Sequence, residues 1–156
     1  MKLLPVSLCA AAALAAFSTV ALRAETPAAP SPAQIVKARQ AALMMSAITF
    51  AGLKQGADGG DVSKLGFPAG ALAAWAAALP GLFPAGTAQG TAGLDTKAKA
   101  EIWSNRAGFE ARAADYAAAT AKLADLSKAG DGAGFTAQLA VVKKACDACH
   151  ADFKAH

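Results

Sequence analysis

A chain of 156 residues that is 55% hydrophobic and 17% charged carries enough apolar side chain for one buried core and too little polar bias for a disordered tail. The net charge of +4 includes Lys2 and Arg23 near the N-terminus. It comes with no arginine-rich or aromatic-interleaved stretch, which argues against nucleic acid as a partner.

The first residues are read apart from the fold. Lys2 precedes an apolar run from Leu3 to about Val20, and small residues follow, the pattern of a secretory signal peptide over residues 1–24. Cleavage after Ala21 or after Ala24 suits the pattern, and the polar Glu25-Thr26 start favours Ala24. An uncleaved anchor is the competing reading, with Pro5, Ser7 and Ser18 inside the run counting against it. Export places the mature chain in the periplasm. Beyond the leader the longest apolar region, Ala69 to Phe83, is broken by Gly70, Pro80 and Gly81, so no membrane span is expected after cleavage.

Residues 25–31 are Pro- and Ala-rich and read as a flexible arm, leaving residues 32–156 as the folded domain. Ser31, Pro32 and Gln34 form a capping box with proline at the first helical position, which starts a helix at Pro32. Val36, Arg39, Leu43, Ala47 and Phe50 share one stripe of it, and Gly56 is expected to end it near Gln55. Gly56 to Phe67 reads as a loop. A shorter helix follows from about Pro68 to Leu79, and Pro80 to Thr96 reads as a long crossover. A third helix is expected from near Thr96 to about Lys128, with Ile102, Phe109, Tyr116 and Leu123 seven apart. After Gly130 to Gly134, a fourth helix places Phe135, Leu139, Val142, Cys146, Cys149 and Phe153 at alternating spacings of four and three, with both cysteines on the buried face. The fold class is therefore all-α, an antiparallel four-helix bundle. Its alanines fill little volume, which leaves room in the core for a large apolar cofactor.

Cys146-Asp147-Ala148-Cys149-His150 is Cys-x-x-Cys-His, the attachment signal for c-type haem. Two thiols at this spacing can add to the two vinyl groups of one porphyrin edge, and the adjacent neutral imidazole can ligate the iron. The competing readings are a thioredoxin-type dithiol, which belongs at a helix start in a βαβ setting, and a zinc site, for which His156 is the one further mature histidine. His156 lies beyond His150 on the same side and cannot reach the opposite face of the iron. Leu43 centres the inner stripe of the first helix, whereas Met44 and Met45 lie about 100° and about 200° from it. A five-coordinate iron covered by the Leu43 side chain is the expectation.

With these residues in view, the chain resembles cytochrome c′, the high-spin class II c-type cytochromes, over essentially residues 31–156. The resemblance is carried by the haem motif close to the C-terminus, by Arg39-Gln40-Ala41-Ala42-Leu43, and by Glu101-Ile102-Trp103 with Phe109. It implies one covalently attached haem c in a four-helix bundle, Leu43 crowding the vacant face, Arg39 near a haem propionate with Gln40 beside it, and Trp103 and Phe109 at the haem periphery. Ordinary bundle core is the equal alternative for those two aromatics. Lys154, four residues after the haem histidine, stands where the family carries a basic residue. Family members often form homodimers through their first two helices, a role open here to Leu72–Leu79 with Met44 or Met45.

An open ferrous iron under an apolar lid favours nitric oxide and carbon monoxide, which depend less than dioxygen on a distal hydrogen-bond donor. The rival is a low-spin electron carrier in which a one-residue register change brings Met44 to the iron. A redox protein partner suits either. No general acid or base is placed on the open side, so a binding protein is expected rather than an enzyme.

Overall fold

A computed structural model describes residues 28–156; the proposed leader and the start of the arm lie outside the described residues. Helix α1 spans Pro32–Ala57, α2 Gly66–Ala78, α3 Glu101–Ser104, α4 Arg106–Lys128 and α5 Gly132–Phe153. The long helices α1, α2, α4 and α5 make the bundle, and no strand occurs among the described residues beyond one isolated bridge between Ala98 and Lys154.

Three of the four long helices begin on a side-chain cap. At α1 the capping box forms as expected: the Gln34 N–H donates to Ser31 Oγ at 3.3 Å and the Ser31 N–H donates to Gln34 Oε1 at 2.8 Å. Helices α4 and α5 share a different device. Asn105 accepts from the Gly108 N–H at 3.2 Å, and Asp131 accepts from the Gly134 N–H at 2.8 Å.

Several boundaries differ from expectation. Gly56 does not stop α1, which continues to Ala57; a Cβ at Gly56 would meet Leu65 Cδ2 at 2.6 Å, so the glycine permits close packing instead. Part of the expected loop is a 3₁₀ turn over Val62–Leu65, and α2 starts at Gly66 rather than Pro68. The third helix does not begin at Thr96. The Lys99 N–H is engaged with the last residue of α5 and the Lys97 carbonyl with Ala155 just beyond it, and helix appears only at Glu101. It breaks again at Asn105, whose backbone (φ −120°, ψ 57°) is non-helical while its side chain caps the next segment.

The main core joins α2, α4 and α5 through Leu72, Leu123, Phe135 and Val142, with Leu53 of α1 at one end. A smaller cluster of Ala98, Ile102, Phe109 and Phe153 lies toward the end of α5. Val62–Leu82 is apolar and long enough to cross a membrane by length and composition. It is nonetheless three consecutive pieces, and Ala69, Leu72, Ala76 and Leu79 are buried in the core. Within the segment expected to serve a dimer, Leu72 and Leu79 face the core, whereas Ala74, Ala77 and Ala78 remain exposed. The exposed large apolar side chains of α1 and α2 are Leu43, Met44, Met45, Ile48 and Phe67.

Candidate haem site

The inner stripe of α5 is observed as its spacing requires. Phe135, Leu139, Val142 and Phe153 are buried, while Cys146 and Cys149 on the same stripe are half-buried. Cys146 packs against the main core and Cys149 against the smaller cluster. His150 is more exposed, and α5 ends one turn later at Phe153. The chain then leaves the helix in extended conformation at Lys154, so His156 is not on α5 at all.

The electrostatics of the three side chains are consistent with one another. Burial, reinforced by the charge of Cys146, pushes the Cys149 thiol up to about 11, and burial followed by the Asp147 carboxylate raises Cys146. Thiols held protonated at neutral pH are poor nucleophiles, the opposite of a catalytic dithiol at a helix N-terminus. Burial and then the Lys154 ammonium lower the His150 pKa, which favours the neutral imidazole that a metal requires. Among the described residues no cluster of three or more His, Cys, Asp or Glu side chains is placed to hold a metal ion.

The facing wall comes from α1 and the crossover. Arg39, only 2% exposed, donates from Nη1 to Thr87 Oγ1 at 2.9 Å and to the Leu82 carbonyl at 3.3 Å. From Nη2 it donates to the Thr87 carbonyl at 3.0 Å and to Thr96 Oγ1 at 2.9 Å. Its guanidinium carbon stands 4.4 Å from the centroid of the Phe83 ring. All these partners are neutral. Gln40 donates from Nε2 to the Asp95 carbonyl at 2.8 Å, which commits its amide to the crossover. Leu43, on the inner stripe, keeps 36% of its surface uncovered.

Trp103 and Phe109 complete the surroundings. The Trp103 indole N–H is shared between the carbonyls of Phe83 at 3.2 Å and Pro84 at 3.1 Å. Phe109 lies edge-on between Phe83 and Phe153, with centroids 4.9 and 5.5 Å away. Cys149, Trp103 and Phe109 thus belong to one neighbourhood, and Phe83 joins it to Arg39. Sequence reasoning left Phe83, Thr87 and Thr96 in an aperiodic crossover. The one signal was composition: a large aromatic and three threonines, Thr87 and Thr96 among them, inside a Pro- and Gly-rich stretch. Lys154 is exposed at the end of α5.

These residues fit a large, partly anionic, apolar group. Two half-buried thiols sit on an inner helix face, an uncovered leucine lies on the inner stripe of α1, and a buried cation is answered only by neutral oxygens. Haem c has the matching parts: vinyl groups, a flat apolar ring and carboxylates.

Comparison with known proteins agrees with this chemistry. A family model described as Cytochrome C' matches residues 34–154. The chain is 42% identical over 85 residues to a cytochrome c' of Pararhodospirillum photometricum, a stretch covering 54% of this chain and 65% of that protein. Matches to curated relatives span 48% and 65% of their lengths. Solved structures are covered more fully. The crystal structure of cytochrome c' from Rubrivivax gelatinosus aligns at TM-score 0.70 with 31% identity, over 80% of this chain and 97% of that one. A nitric oxide complex of a cytochrome c prime variant from Alcaligenes xylosoxidans aligns at TM-score 0.73 with 25% identity, over 83% of this chain and 100% of that one. With its four-helix bundle and a match running from Gln34 to Lys154, the chain belongs to the cytochrome c′ family, whose members carry one covalently bound haem c.

Proposed function

We propose that the chain binds nitric oxide, and carbon monoxide, at a five-coordinate haem linked through Cys146 and Cys149, with His150 as the single protein ligand to iron. When bound, the haem supplies an iron with one open face for a diatomic ligand and a one-electron couple. The protein does the rest. Half-burial of the two thiols keeps the attachment edge inside the bundle, and the neutral imidazole of His150 is available from the proximal side. Arg39 offers its buried charge to a propionate, with Gln40 holding the adjacent crossover. Trp103 and Phe109 pack at the haem periphery, and Lys154 adds positive charge on the proximal side.

The observation that carries this reading is the contrast on α1: Met44 and Met45 are 66% and 61% exposed, against 36% for Leu43, which by helical spacing shares the face of the buried Val36 and Arg39. A thioether turned to solvent is not available as a sixth ligand, which disfavours the low-spin electron carrier. Leu43 then acts as a steric filter with no hydrogen bond to offer, a setting that favours nitric oxide over dioxygen. Residues 1–24 direct export to the periplasm and are removed, residues 32–156 form the working domain, and Met44, Met45 and Ile48 pair two copies as a homodimer. Electron exchange with a redox protein is compatible with the same centre, and the site is that of a gas-binding protein rather than an enzyme.

The test is one set of absorption spectra of purified protein, oxidised, reduced and treated with nitric oxide. A high-spin ferric spectrum that Met44→Leu leaves unchanged, together with a nitric oxide adduct, is the expected result. A sulfur-to-iron band lost in Met44→Leu, or no adduct, overturns it.

A further inference from the structure

The last turn of α5 is secured from outside the helix by a residue the haem motif does not contain. A helix ends with four carbonyls that lack intrahelical donors. In α5 these are His150, Ala151, Asp152 and Phe153, and each has a partner. The Lys154 N–H donates to the His150 carbonyl at 3.1 Å. The other three belong to Lys99: its Nζ donates to the carbonyls of Ala151 and Asp152, each at 3.2 Å, and its backbone N–H donates to Phe153 at 3.1 Å. The ammonium also lies at the negative end of the helix dipole, where a cation is favourable.

Lys99 is itself held in place. The Ala155 N–H donates to the Lys97 carbonyl at 2.9 Å, and the Ala98 N–H donates to Thr96 Oγ1 at 3.2 Å, the same oxygen that Arg39 uses. Arg112 and Asp152 also meet at 2.9 Å beside this turn, but both side chains are more than 40% exposed, and such pairs contribute little.

We infer that Lys99 is a positioning residue for His150: by closing the turn from which the imidazole projects, it sets how readily that imidazole parts from iron when a ligand binds opposite. The inference rests on the proposed role of His150 as the iron ligand. Fraying of the turn frees the His150 backbone, and an imidazole on a frayed turn has more ways to move off the metal.

The experiment uses the haem-loaded full chain as wild type, Lys99→Met and Lys99→Arg. Two quantities are read: amide hydrogen exchange at Lys154 and Ala155, and the ratio of nitric oxide adducts with His150 released to those with it bound, from electron paramagnetic resonance. Lys99→Met is expected to speed exchange roughly tenfold and to raise the released fraction roughly three- to tenfold, the range expected for a cation hydrogen-bonded at a helix end. Lys99→Arg, which keeps donors and charge, restores both. Faster exchange with an unchanged adduct ratio overturns the inference, as does silence in both readouts or an arginine variant that behaves like methionine. A wild type without histidine-ligated haem overturns the proposed function and this inference together; a normal wild type beside a silent Lys99→Met overturns this inference alone.

Discussion

Arg39 on α1 and Thr96 at the far end of the crossover meet at 2.9 Å, Nη2 to Oγ1, across 57 residues of chain. The contact ties the opening helix to the segment that returns to the end of α5, so the two walls of the candidate site share one anchor. Replacing Arg39 by leucine leaves the Thr96 and Thr87 hydroxyls and two carbonyls short of a donor in a buried setting. A loss of about 3 kcal/mol is expected in urea denaturation, with Arg39→Lys recovering only part of it because an ammonium cannot reproduce the planar fork.

Leu43 is expected to matter more for ligand entry than for stability. With a third of its surface uncovered, Leu43→Ala should cost about 1 kcal/mol, less than the about 2–5 kcal/mol of a buried leucine. Carbon monoxide association, followed by stopped flow, is expected to accelerate roughly tenfold in Leu43→Ala and to slow in Leu43→Phe, since about 1.4 kcal/mol of avoided side-chain displacement is one decade of rate.

Tyr116 carries an alkaline liability. Burial raises its phenol above the ordinary value near 10. The folded chain keeps that proton after the unfolded chain has lost it, so the associated stability is complete below about pH 10 and is lost as pH rises further. Denaturation across pH 8 to 11 should show the wild type losing up to about 1.4 kcal/mol per pH unit above pH 10 relative to Tyr116→Phe.

The exposed face of α1 gives an assembly prediction. Met45→Glu combined with Ile48→Glu places two charges on an apolar face whose residues are 61% and 58% exposed in the single chain. Sedimentation velocity should show a concentration-dependent dimer in the wild type and a monomer in the variant, with the helical circular dichroism signal unchanged. Equal sedimentation of both proteins would remove α1 as the pairing surface.

The helices were legible wherever a local device announces them. The Ser31-Pro32-Gln34 start and the inner stripe of α5 depend on residues three or four apart, and both are observed as expected. The break at Asn105 was hidden because Ile102, Phe109, Tyr116 and Leu123 keep their seven-residue spacing across it. Gly56 misled for a similar reason: its neighbour Leu65 lies on a different element, and periodicity along α1 carries no trace of it. In the candidate site the contiguous haem motif was readable, whereas the surroundings of Arg39 were not. Its partners Leu82, Thr87 and Thr96 lie 43 to 57 residues away, in a stretch without periodicity.

The two caps that open α4 and α5 constrain how this chain can change. A methyl group at Gly108 would stand 2.5 Å from Asn105 Nδ2, and one at Gly134 would collide with the Asp131 carboxylate. In each pair the nearest atoms met belong to the capping side chain itself, so Gly108→Ala would oblige the Asn105 side chain to shift and would loosen its cap. The two positions are therefore coupled: loss of the polar cap frees the glycine to vary, and a side chain at the glycine requires the cap to take another rotamer.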